Sequence, residues 1–151
     1  MIALALALVL VPLSAHAQSA PRYAFFSLEV ADMARAKAFY SNAIGMKEAY
    51  VLTKPTDPVQ KIALNFSGDA NSTEPMLILI HTANPTSDQN KSSGAKIGFG
   101  VSDNKAATDR ARAAGYSILA EPKPDHKGPA FTTVLRDPDG VIVELVELRI
   151  P

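Results

Sequence analysis

The chain contains itself twice. Residues 26–46 read FSLEVADMARAKAFYSNAIGM, and residues 97–118 read IGFGVSDNKAATDRARAAGYSI. Each stretch runs from a short apolar strand to Val-x-Asp (Val30-Ala31-Asp32 and Val101-Ser102-Asp103), through an alanine-rich helix, to a glycine (Gly45 and Gly115). The repeat distance is 71 residues at the aspartates and 70 at the glycines. Duplication at this scale restricts the chain to two similar supersecondary units packed on one core. Asp32 and Asp103 are placed to cap helix N-termini, and Gly45 and Gly115 to end the helices. Ala36, Phe39, Tyr40 and Ala43 follow i, i+3, i+4, i+7 spacing, as do Ala107, Ala111 and Ala114, so these side chains are expected in the core.

Strand-like segments follow each helix. Residues 46–53, 59–66 and 76–82 supply them in the first unit, and residues 116–120, 130–135 and 141–148 in the second. Asp137-Pro138-Asp139-Gly140 is a tight-turn sequence before the last strand. The fold class is therefore α+β, with two βαβββ modules. Module one is expected over residues 23–82, a linker over 83–94 and module two over 95–150. Together the modules make a single domain over 23–150.

Alternation assigns each strand two faces. One parity collects Phe26, Leu28 and Val30, then Met76, Ile78 and Ile80, then Ile97, Phe99 and Val101, then Val141, Val143 and Leu145. It is wholly apolar and is expected to face the helices. The opposite parity collects Phe25, Ser27, Glu29, Leu77, Leu79, His81, Lys96, Gly98, Ile142 and Glu144. Apolar walls with a few polar groups describe a ligand cleft better than a solvated sheet face, and these ten residues are the expected pocket.

Residues 1–17 differ from the rest. Fourteen of them are apolar and none is charged, and they end in Ala15-His16-Ala17. The apolar run is shorter than the ~20 residues a spanning helix requires. It is expected to be a signal peptide, with a linker over 18–22, and the mature protein periplasmic or secreted without stable membrane insertion. The 15 basic and 15 acidic residues balance, which gives no electrostatic case for nucleic acid. With no cysteine, disulfides and thiolate metal sites are excluded.

These residues resemble the vicinal oxygen chelate superfamily, which holds glyoxalase I, extradiol dioxygenases, fosfomycin-resistance enzymes and bleomycin-resistance proteins. The resemblance is carried by Leu28-Glu29-Val30-Ala31-Asp32, Ala38-Phe39-Tyr40, Gly45-Met46, Gly98-Phe99-Gly100-Val101-Ser102-Asp103, Asp137-Pro138-Asp139-Gly140 and Val143-Glu144-Leu145-Val146-Glu147. It implies a cupped mixed sheet with the site on its concave face, and often a homodimer. It also implies a divalent ion held by four strand positions, which carry over to Phe25, the neighbourhood of Leu79, Lys96 and Glu144. Only Glu144 is a metal-ligating residue type.

The expectation is therefore a small-molecule-binding protein with no metal cofactor, as the bleomycin-resistance members are. Lys96 and Glu144 would form an ion pair where the metal would sit. Buried, such a pair would lose ~3–5 kcal/mol on removal of one partner. The alternative is a glyoxalase-type lyase or isomerase, resembling lactoylglutathione lyase. It would use Glu144 as catalytic base and a displaced His81/Glu144 site for zinc, nickel, iron or manganese.

Overall fold

The computed structural model describes residues 22–84, 96–124 and 130–148. The expected signal peptide and most of the expected linker between modules lie outside them. The first unit supplies β1 (Phe25–Glu29), α1 (Met33–Phe39), β2 (Lys47–Val51), β3 (Val59–Asn65) and β4 (Met76–Thr82). The second supplies β5 (Lys96–Gly100), α2 (Asn104–Ala113), β6 (Ile118–Pro124), β7 (Ala130–Arg136) and β8 (Ile142–Leu148). The βαβββ order appears twice.

Both helices start where the aspartates stand. The Asp32 carboxylate accepts the Arg35 N–H at 2.9 Å and the Asp103 carboxylate accepts the Ala106 N–H at 2.8 Å. These are the bonds that satisfy a first helical turn. The Arg35 amide holds the Asp32 carboxyl below its ordinary range. Residues 40–44 continue α1 as a wider π-helical turn, which closes with Gly45 at φ 90°. After α2, Gly115 takes φ 85° and Tyr116 N–H reaches back to Ala111 O at 3.1 Å. Both glycines thus occupy the left-handed position that ends a helix.

Each unit makes one four-stranded mixed sheet, in the orders β1-β4-β3-β2 and β5-β8-β7-β6. The outer strand β1 runs parallel to β4, and β5 parallel to β8. Each sheet lays one face on its helix, and the two helix layers meet in a shared core. Phe39, Tyr40, Ala43 and Ile44 from one unit join Ala107, Ala111, Val143 and Leu145 from the other. Phe39 packs edge-on against Tyr116 at 4.8 Å between ring centres, and Tyr40 against Phe99 at 6.4 Å.

Polar links cross the same boundary. Tyr40 donates its buried hydroxyl to Asp137 at 2.8 Å. Asp137 also accepts the Asp139 and Val141 N–H groups, so the Asp-Pro-Asp-Gly turn is held from within. Burial, then the charge of Asp137, push the Tyr40 phenol far above its ordinary range, so it remains a donor. Asp139 accepts Arg35 and the Ala31 N–H at the start of α1. Arg110 on α2 donates to the Ala43 and Ile44 carbonyls at the end of the π turn. The turn and helix of the second unit therefore fix the helix of the first.

Candidate functional site

The site candidates stand on the sheet faces turned away from the helices. Residues in register on neighbouring strands share a face, so the pairing defines the rows of each face. In the second sheet one row is Lys96, Ile142 and Arg136. The next is Gly98, Glu144, Val134 and Ala120, and the third is Gly100, Val146, Thr132 and Lys123. Lys96 Nζ donates to Glu144 Oε1 at 2.7 Å, diagonally between the first two rows. The expected pair is formed, but the Lys96 side chain is 63% exposed and that of Glu144 27%. It is a surface pair worth ~0–1 kcal/mol, not the buried pair with a cost of ~3–5 kcal/mol.

The first sheet needs a correction. Its rows are Phe25 with Met76, then Ser27, Ile78, Ala63 and Tyr50, then Glu29, Ile80 and Lys61. Phe25, Ser27 and Glu29 lie on the expected face. Leu77 and Leu79 do not. Both point to the helices, 3% and 0% exposed, and belong to the core. Met76, Ile78 and Ile80, expected in the core, take the opposite face. His81 shares the side of Leu77 and Leu79, and its Nδ1 lies 3.1 Å from Val30 O. It stands beside the start of α1 rather than across the sheet from Glu144, so the displaced His81/Glu144 metal arrangement is not assembled.

The reason is length. Lys96 is 71 residues after Phe25, but Ile142 is only 66 after Met76, and the two pairs hold equivalent register positions. The units differ by five residues between their first and last strands. Because faces alternate residue by residue, an odd difference makes a constant sequence offset map residues of β8 onto the wrong face of β4. β4 reads Met-Leu-Ile-Leu-Ile, so no polar residue marks its phase. Applying the register of Glu144 opposite Gly98 to the first sheet selects Ile78, opposite Ser27, in place of Leu79. Sequence reasoning also missed Tyr50, Lys123 and Arg136, whose faces only strand pairing shows.

The fit to a metal can be judged from these donors. The four positions are Phe25, Ile78, Lys96 and Glu144. Two are hydrocarbon and one is a cation that repels a cation, leaving one carboxylate where several N or O ligands are needed. Among the described residues no group of three His, Asp or Glu side chains gathers closely enough to hold an ion. The residues present do not fit the metal.

One cavity adjoins the front of the first sheet, and another lies between the units. The first, about 260 Å³, lies among Tyr23, Phe25, Tyr50, Met76 and Ile78. The other is about 250 Å³ and mostly apolar. Phe26, Met46, Phe66 and Leu77 line it on one side, and Ile97 to Gly100 of β5 on the other, so it opens chiefly toward the helix-facing side of the sheets.

Comparison with known proteins agrees with this architecture. The sequence profile of the Glyoxalase/Bleomycin resistance protein/Dioxygenase superfamily matches residues 22–145. The chain belongs to that superfamily. A lactoylglutathione lyase of Salmonella typhimurium is 31% identical over 123 residues, covering 81% of this chain and 89% of the relative. Among solved structures, the trypanothione-dependent glyoxalase I of Leishmania major superposes with a TM-score of 0.65 at 27% identity, over 85% of this chain and 87% of that one. A glyoxylase/bleomycin resistance protein/dioxygenase domain from Frankia superposes with a TM-score of 0.68 at 16% identity, over 87% of this chain and all of that one, and shows the fold alone. The fold of this superfamily member is thus intact at the residues that build it.

Proposed function

We propose that this protein is an exported member of the superfamily that binds a small organic ligand on its concave sheet faces without a resident metal. One observation carries the reading. Of the four strand positions that face the site, Phe25, Ile78 and Lys96 are not ligand types, and the fourth, Glu144, is engaged by Lys96 at 2.7 Å. Phe25, Met76 and Ile78 supply apolar contact, and Ser27, Lys96 and Glu144 supply polar groups. Export rests on residues 1–17. No helix among the described residues is long and apolar enough to cross a membrane.

A homodimer accords with the sheet edges. Among the described residues β1 and β5 each have one unpaired edge, and Tyr23, Phe25 and Phe26 on or beside β1 are 74%, 57% and 48% exposed. Apolar edges of this kind favour association. Light scattering on the purified protein checks it, and a monomer at all concentrations refutes it.

The competing reading is a lactoylglutathione lyase-type enzyme, with Glu144 as base. The 31% identity to such a lyase favours it. Metal analysis after dialysis against nickel and zinc separates the two, together with a lyase assay with and without those ions. No stoichiometric metal and no activity are expected. A bound equivalent that supports turnover would replace the binding reading with the enzymatic one.

A further inference from the structure

Gly98 and Gly100 stand in the middle of β5, and the fold itself gives no reason for either. Glycine in a strand interior weakens it, and ordinarily marks a bulge, a bend or a close backbone neighbour. Here the β5–β8 register runs without a break. Neither glycine has a positive φ. Among the described residues, a methyl group built at either position would meet nothing within 4 Å. Packing among the described residues therefore does not require glycine at either position.

The surroundings specify its chemistry. The front face of the second sheet carries three cations, Lys96, Lys123 and Arg136, against one anion, Glu144. Lys96 commits one contact to Glu144 and Arg136 donates to Gly140 O, yet both side chains are exposed and retain unused donors. They flank Ile142 in a single row. Next to that row the two glycines, ~6–7 Å apart along the strand, leave a flat strip about as long as an aromatic ring is wide. The same two glycines also border the apolar cavity of about 250 Å³ between the units, whose walls include the helix-side residues Phe26, Leu77 and Phe99.

We propose that the second sheet binds a planar aromatic carboxylate. The carboxylate is taken between Lys96 and Arg136, and the ring lies flat on the Gly98–Gly100 backbone. Lys96, steadied by Glu144, supplies the positive charge at a position where the family resemblance implies a metal ligand. The inference rests on the metal-free reading above and names the ligand class of the same site.

The test uses four probes on the chelator-treated protein: benzoate, benzamide, cyclohexanecarboxylate and benzylammonium. Binding is read from the backbone amide resonances of Gly98 and Gly100. Benzoate is expected to move both, with at least about tenfold higher affinity than the other three, equivalent to ~1.4 kcal/mol. Gly98→Val is expected to abolish the response while keeping or raising the melting temperature, since a β-branched residue suits an open strand position. The paired change Lys96→Met with Arg136→Met is expected to make benzoate and benzamide bind equally. A metal-independent response that favours benzylammonium or benzamide, or one that survives Gly98→Val, overturns the ligand class and leaves the metal-free reading standing. No response to any probe also overturns it. A benzoate response that appears only after nickel is added overturns the metal-free reading, and the role of Lys96 with it.

Discussion

Module one turns Phe25, Tyr50, Met76 and Ile78 toward its front face, whereas module two turns Lys96, Lys123, Arg136 and Glu144 there. On the helix side the two are alike: Leu77 and Leu79 in β4 match Val143 and Leu145 in β8, all nearly or wholly buried. Duplication therefore kept one side of each sheet and let the other diverge. The helix side must fill a shared core at close-packed density, where one methylene is felt. The front side has no such neighbour, so aromatic, charged and glycine residues can stand in equivalent rows.

The largest expected effect breaks the contrast between sides. Leu79→Ala should cost ~2–5 kcal/mol, because it empties a wholly buried position. Ile78→Ala, one residue away on the half-buried front, should cost clearly less. Urea denaturation of both variants measures the difference, and equal losses would mean that β4 is not phased as described. Next comes the link between modules. Tyr40→Phe removes one of three hydrogen bonds to the buried Asp137 carboxylate and should cost ~1–3 kcal/mol.

The same link carries a pH dependence. The Tyr40 phenol titrates higher in the folded protein than unfolded, where it titrates near ~10. Its contribution is thus fully present below ~10 and is lost as the pH rises beyond it. Tyr40→Phe should be less stable at neutral pH, yet its stability should fall less on further alkalinisation. Unfolding curves on either side of that point check the sign. The smallest effect sharpens the contrast between front faces. Lys96→Met should change stability by less than ~1 kcal/mol, and adding Glu144→Leu should change little more, because the pair is exposed. A loss several times larger from Lys96→Met alone, recovered in the double variant, would show a desolvated pair.

Much of the fold was legible. The Val-x-Asp repeats located both helix starts, because an Asp side chain satisfies the first-turn amides locally. Gly45 and Gly115 located both ends for an equally local reason. Strands with an asymmetric pattern were assigned the correct face. Ser27 and Glu29 marked the front of β1, and Glu144 that of β8. β4 was not, because Ile78 and Leu79 are chemically alike and nothing in the strand tells front from back. The ion pair of Lys96 and Glu144 was anticipated from their equivalent positions, but its exposure was not, since exposure depends on what covers a face.

The sequence alone determined the two-unit architecture, the helix boundaries and the shortage of metal-ligating side chains, since each depends on residue type at short range. Tertiary structure decided the phase of β4, which is set by pairing Phe26 with Leu77 and Leu28 with Leu79 across parallel strands. It also decided that His81 stands beside Val30 on the helix side and that Arg136 and Lys123 join Lys96 on one face. Such placements depend on hydrogen-bond register between segments tens of residues apart. A shift of one residue in that register reverses them, and local composition does not record it.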